Sequence, residues 1–216
     1  MIFYLIRHGQ TDWNIQKRMQ GHADIPMNET GIQQMNDLAE KIVKEGIRFD
    51  RLIASPLKRA RKSAEIIAEK TGFQKDIIFD EDFVERDCGL LEGEIWTPEL
   101  DLDDPNYKME TIEELCERAE KVLNGYSFSE EEKIMIVSHG AFLAALRTVL
   151  SDYRIDYFDR THPVIQGNVL CCVKEEGGER VSSTCSENRF CKTKKKRIES
   201  AFSYRNVSRG NDYYST

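Results

Sequence analysis

One pattern constrains this chain more than any other, and it occurs twice. A short apolar run that reads as a buried strand ends in a histidine followed by glycine, first as Phe3-Tyr4-Leu5-Ile6-Arg7-His8-Gly9 and again as Ile134-Met135-Ile136-Val137-Ser138-His139-Gly140. In open α/β sheets, binding sites form at the carboxyl ends of strands, and a glycine there allows backbone to come close to a ligand. A lone histidine in such a place reads equally well as a satisfied structural residue. Two, each between a strand and a helical segment, do not read as coincidence.

Further strand-like runs fall at 52–54, 77–79 and 169–173. Helical patterns separate them: Ile32, Met35, Leu38, Ala39, Ile42 and Val43 share one face, as do Ala60, Ala64, Ile67 and Ala68, and Ile112, Leu115, Ala119, Val122 and Leu123. The alternation predicts a three-layer α/β/α sandwich with a mostly parallel central sheet. At 216 residues there is material for one such domain. We place it at 1–181, with an acid-rich loop excursion at about 92–110 that carries Glu94, Glu99, Asp101, Asp103 and Asp104, and a basic, flexible extension at 182–216. The net charge of -7 conceals that extension: residues 180–216 hold nine bases against three acids.

No stretch approaches the ~20 apolar residues of a membrane helix, and the first residues lack the basic lead of a secretory signal, so a cytoplasmic protein is expected. The six cysteines show neither CxxC pairing nor histidine partners at zinc spacing, which favours reduced thiols. No metal and no cofactor are expected.

Two more residues bear on chemistry. The strand at 52–54 runs into Ser55-Pro56-Leu57-Lys58-Arg59, so Arg59 falls near the start of a helix, where free N–H groups already favour an anion. Together with Arg7 it could grip one phosphoryl group, a task that suits the permanent charge and forked donors of guanidinium. Glu85, after the strand at 77–79, is a candidate proton donor; on its own it would be one more surface acid.

These residues resemble the histidine phosphatase superfamily, the phosphoglycerate mutase-like proteins. The likeness rests on Leu5-Ile6-Arg7-His8-Gly9-Gln10-Thr11-Asp12-Trp13-Asn14, on Gln20-Gly21 with Asp24 and Pro26, on Ser55 to Ala60, on Val84-Glu85 with Gly89 and Glu92-Gly93, and on Val137 to Gly140, in the family's order. The resemblance implies that His8 is the nucleophile, that Arg7, Arg59 and His139 hold the phosphoryl group, that Glu85 donates the proton and that Asn14 helps bind phosphate, with Thr11, Gln20 and Gly21 on a rim that varies with substrate. The chemistry agrees. His8 must be neutral to attack, and charge on the phosphoryl oxygens must meet fixed cations, Arg7 and Arg59 with a protonated His139 as a third. Such a site needs no metal, and a phosphohistidine splits one hard step into two. His22 reads as a loop residue near the rim and His162 as structural.

Two fates for the phosphoryl group follow. Mutases of the superfamily carry a longer, basic excursion after the Glu85 segment, whereas here it is short and acidic. If it lies over the site, it repels polyanions, which favours hydrolysis of small phosphate monoesters over mutase transfer. A non-catalytic binding module is the third reading, and the complete residue set argues against it. The expected partner is a small phosphorylated substrate. No membrane is implied, and the single basic run at 192–197, without interleaved aromatics, does not read as a nucleic-acid surface. Nothing in the sequence selects an oligomeric state.

Overall fold

Strands that are apolar at successive positions need cover on both faces, and this chain supplies it. The computed structural model describes residues 1–159, 164–175 and 178–182. Four strands run parallel: β1 (Ile2–Arg7), β2 (Arg51–Ala54), β3 (Ile78–Phe79) and β4 (Lys133–Ser138). β5 (Val169–Glu175) pairs antiparallel with β1, and β6 (Gly178–Ser182) antiparallel with β5, giving the order β3-β2-β4-β1-β5-β6. The expected, mostly parallel α/β architecture is present. β6 was not foreseen, because Glu179 and Arg180 break any apolar run there.

Side-chain alternation sorts the strands between two cores. Phe3 and Leu5 of β1, Ile53 of β2 and Ile134 and Ile136 of β4 face one cluster, which includes Leu115, Ala119 and Val122 of α4 (Ile112–Gly125) and Phe142, Leu143 and Leu146 of α5 (Gly140–Leu150). Tyr4, Ile6, Leu52, Ala54, Met135 and Val137 face the other, with Met35, Leu38, Ala39 and Ile42 of α2 (Glu29–Lys44) and Ala60, Ala64 and Ile67 of α3 (Lys58–Thr71). Val43, expected on the buried face, is 49% exposed; one step beyond Ile42 turns the side chain by about 100°. A capping box between Thr111 and Glu114 opens α4, and Gly72 in the left-handed region closes α3.

Gly9 answers to packing rather than to a ligand. A Cβ there would stand 2.4 Å from the Gly31 carbonyl oxygen, and one on Gly31 would stand 2.2 Å from that of Gln10. The start of α2 is thus pressed onto the turn that follows β1.

The segment 92–110 is more than a loop. It pairs with the chain after α1 (Asp12–Ile15), through Met19 N–H to Glu94 O at 2.9 Å, Gly93 N–H to Met19 O at 2.8 Å and Trp96 N–H to Lys17 O at 2.8 Å. Trp96 and Leu102 join Met19, Cys88 and Leu91 in a small third core. Cys88, Cys116, Cys171 and Cys172 are buried. Among the described residues no helix is long and apolar enough to cross a membrane. His162 and residues 183–216 lie outside the described residues.

Candidate active site

The carboxyl ends of β1, β2 and β4 lie level because their register is parallel: Arg7 is opposite Ser138, and Ala54 opposite Val137. His8 leaves β1 with its N–H on Ser138 O at 3.0 Å, and Ser55 leaves β2 with its N–H on Val137 O at 3.0 Å. His8 and His139 therefore arrive side by side, ring centroids 5.1 Å apart.

The His8 ring is buried, and its Nδ1 lies 2.7 Å from the Gly9 carbonyl oxygen, which can only accept. Nδ1 therefore carries the proton, and Nε2 keeps its lone pair. Burial, followed by the nearby Arg59 and Arg7 charges, holds the imidazole well below its usual range. A neutral, oriented imidazole with Nε2 free is what attack on phosphorus requires.

Arg59, fully buried at the second position of α3, spends its fork on orientation. Its Nε–H donates to His139 Nδ1 at 3.2 Å, and its two terminal nitrogens donate to Ala23 O at 2.6 Å and Gly21 O at 2.8 Å. Burial pulls this guanidinium down to about 10, with Glu85 and Asp24 acting in the opposite sense, so it remains a cation at neutral pH. Because Arg59 can only donate, His139 Nδ1 accepts, and His139 Nε2–H is left to donate to Ser55 Oγ at 2.8 Å. His139 is then neutral, and burial and the Arg59 charge lower its affinity for a proton. The protonated His139 expected from sequence does not fit this arrangement; the fixed cations are Arg7 and Arg59.

Glu85 reaches the site from the turn after β3. Its Oε1 accepts from the backbone N–H of Arg86 at 2.9 Å and from those of Ala141 and Phe142 at 3.1 Å each, at the start of α5. Oε2 lies 3.4 Å from the Ala141 N–H. A Cβ on Gly140 would meet the Arg7 guanidinium carbon at 3.5 Å and Glu85 Oε2 at 3.8 Å, so acid and arginine converge over this glycine. Asn14 turns its Oδ1 toward three donors, the Thr11 N–H at 3.0 Å, the Thr11 hydroxyl at 3.0 Å and the Gln166 amide at 3.1 Å, which leaves its NH₂ to offer outward.

Arg7, His8, Asn14, Gln20, Gly21, Arg59, Glu85 and Ala141 line one cavity. His139 supports it from behind. Thr11 does not line it: fully buried, it caps α1 and completes a capping box with Asn14, so its placement is structural rather than on a rim. His22 is exposed at the mouth, with Nε2 2.9 Å from Glu85 O. None of the five acids expected to guard the mouth lines the cavity, and Glu94, Glu99, Asp101 and Asp103 are exposed.

Sequence reasoning missed the residues that hold these groups. Gln166 braces Asn14. Arg118 of α4 donates to the carbonyls of Asp82, Val84 and Glu85 at 2.9, 3.0 and 3.1 Å while paired in bidentate fashion with Glu110 at 2.8 Å. Only the helix pattern around Arg118, which puts it on the site side of α4, hints at this.

The sequence model of the histidine phosphatase superfamily (branch 1) matches residues 3–185. The chain belongs to the histidine phosphatase superfamily. Within it, the chain is 41% identical over 155 residues to an uncharacterized phosphatase of Bacillus subtilis (strain 168), PhoE, covering 68% of this chain and 76% of that one. It is 34% identical over 157 residues to a probable phosphoglycerate mutase, GpmB, of Proteus mirabilis (strain HI4320), covering 66% and 71%. Among solved structures of the fold, Bacillus stearothermophilus YhfR superposes with a TM-score of 0.69 at 28% identity, covering 84% of this chain and 95% of that one. Superfamily membership fixes the enzyme class, phosphoryl transfer or hydrolysis through a phosphohistidine.

Proposed function

We propose that this histidine phosphatase hydrolyses small phosphate monoesters, with His8 as the phosphoryl acceptor. The observation that carries the reading is the His8 tautomer: Nδ1–H is committed to Gly9 O, which leaves Nε2 as the nucleophilic nitrogen of a residue that lines the cavity together with Arg7 and Arg59. The Nε2 lone pair attacks phosphorus and the ester P–O bond breaks. Arg7, Arg59 and the Asn14 amide meet the charge on the phosphoryl oxygens. Glu85 acts as the general acid and passes a proton to the leaving oxygen. As a carboxylate it then takes a proton from water, whose oxygen attacks the phosphohistidine; the P–N bond breaks and inorganic phosphate departs. The name of the B. subtilis relative supports hydrolysis as the fate of the phosphoryl group.

The test is a panel of small phosphate esters assayed in EDTA, with acid quenching replaced by alkaline quenching to preserve a phosphohistidine. Turnover without added metal and an alkali-stable, acid-labile phosphoprotein absent from His8→Ala are expected. Activity that requires Mg²⁺, or that persists in His8→Ala, refutes the mechanism. Exchange of phosphate between glycerate positions, primed by a bisphosphate, with little release to water would assign mutase transfer instead.

A further inference from the structure

The mechanism leaves unused an acid that touches the site only through backbone. Glu92 is exposed, yet its Oε2 accepts from His22 N–H at 2.7 Å and from Ala23 N–H at 3.0 Å. The carbonyls flanking those same amides, Gly21 O and Ala23 O, are the acceptors for both terminal nitrogens of Arg59. Loop 21–24 is therefore held from two sides, its N–H groups by Glu92 and its C=O groups by Arg59. Gly21 sits in the left-handed region at φ +47°, and a Cβ there would lie 2.7 Å from Glu92 Oε2, so the loop has been shaped around this carboxylate.

Building on the proposed phosphatase reading, we infer that Glu92 is a positioning residue, which fixes loop 21–24 so that the loop carbonyls aim the Arg59 guanidinium at the phosphoryl pocket. A buried guanidinium with five donors takes whatever orientation its acceptors dictate. Two of those acceptors belong to a loop whose opposite edge rests on Glu92. The same carboxylate stands at the root of segment 92–110, so that segment and the phosphate grip share one anchor.

The sign of the effect separates this role from a purely electrostatic one. Removing a negative charge near an anion site should tighten phosphate through Coulomb attraction. Releasing the loop should weaken it. We expect Glu92→Ala to weaken binding of inorganic phosphate, measured by calorimetry, about five- to tenfold, as befits two charge-assisted hydrogen bonds at an exposed position. KM for p-nitrophenyl phosphate should rise in step, and the His22 and Ala23 amides should exchange hydrogen faster. Glu92→Gln, which removes the charge but keeps an oxygen acceptor, should stay within about twofold of the parent in all three readouts. Glu92→Asp, which keeps the charge but withdraws the acceptor by one methylene, should resemble Glu92→Ala and serves in its place if that variant does not fold. Unchanged or tighter phosphate binding in the variants lacking the acceptor, or a Glu92→Gln variant as impaired as they are, overturns the inference. A parent protein that binds phosphate but turns over no ester refutes the phosphatase reading alone, because calorimetry and amide exchange still report on Glu92.

Discussion

At the scale of single residues, the site is a problem in proton bookkeeping solved by burial. His8 and His139 each stay neutral in the fold, while the unfolded chain protonates them near pH 6.5. Below that pH unfolding takes up protons, so the stability contributed is complete above about pH 6.5 and is lost as pH falls toward the depressed folded values. Each group can contribute up to about 1.4 kcal/mol per pH unit in that window. Thermal melts at pH 7.5 and 5.5 should show a lower midpoint at the acidic value, and His139→Asn should flatten the difference. That His8, Arg7 and Arg59 meet at one cavity was legible because each stands at or after a strand end, whereas Glu85 was picked out through the family resemblance. The charge of His139 was not legible, since only the donor-only Nε–H of Arg59, eighty residues away in sequence, decides it. For turnover, His8→Ala should cost far more than Glu85→Gln, for which about 10²-fold in kcat is expected by single-turnover assay.

At the scale of elements, the strands could be read because uninterrupted apolar runs permit few alternatives, whereas the contacts between elements could not. Gly31 illustrates the limit. Alanine is the better helix former by about 1 kcal/mol, yet a Cβ at this position meets the Gln10 carbonyl at 2.2 Å, a backbone contact that no rotamer relieves. Gly31→Ala should destabilise by about 1–3 kcal/mol in urea unfolding, the overpacking cost exceeding the propensity gain. Arg118 shows the same from a helix face. A lone arginine in α4 carries no motif, and its importance comes from three carbonyls and Glu110 brought to it by folding. Arg118→Met strands a largely buried carboxylate and should cost about 2–4 kcal/mol of stability. Because the Glu85 backbone loosens with it, kcat should fall about tenfold while KM moves little, by steady-state assay.

For the whole molecule, the layered architecture was legible from alternation alone, and the superfamily match over residues 3–185 agrees with it. β6 escaped notice because its charged residues give no apolar signal and its strand character comes from pairing with β5. The basic composition beyond that strand leads us to expect that deleting residues 186–216 shifts the melting midpoint by less than about 2 °C and leaves kcat/KM unchanged. The strand order carries a consequence for how the enzyme comes into being. β1 and β2, which lead into His8 and Arg59, are never neighbours; β4 separates them. Until the segment beginning at Lys133 inserts between two strands formed from the first quarter of the chain, those strands have no partner in common and His8 has no second imidazole beside it. This is a long-range closure, slow by nature. Recovery of turnover in a refolding experiment should therefore trail the recovery of helical signal, and a nascent chain should remain inert until its fourth strand has been made.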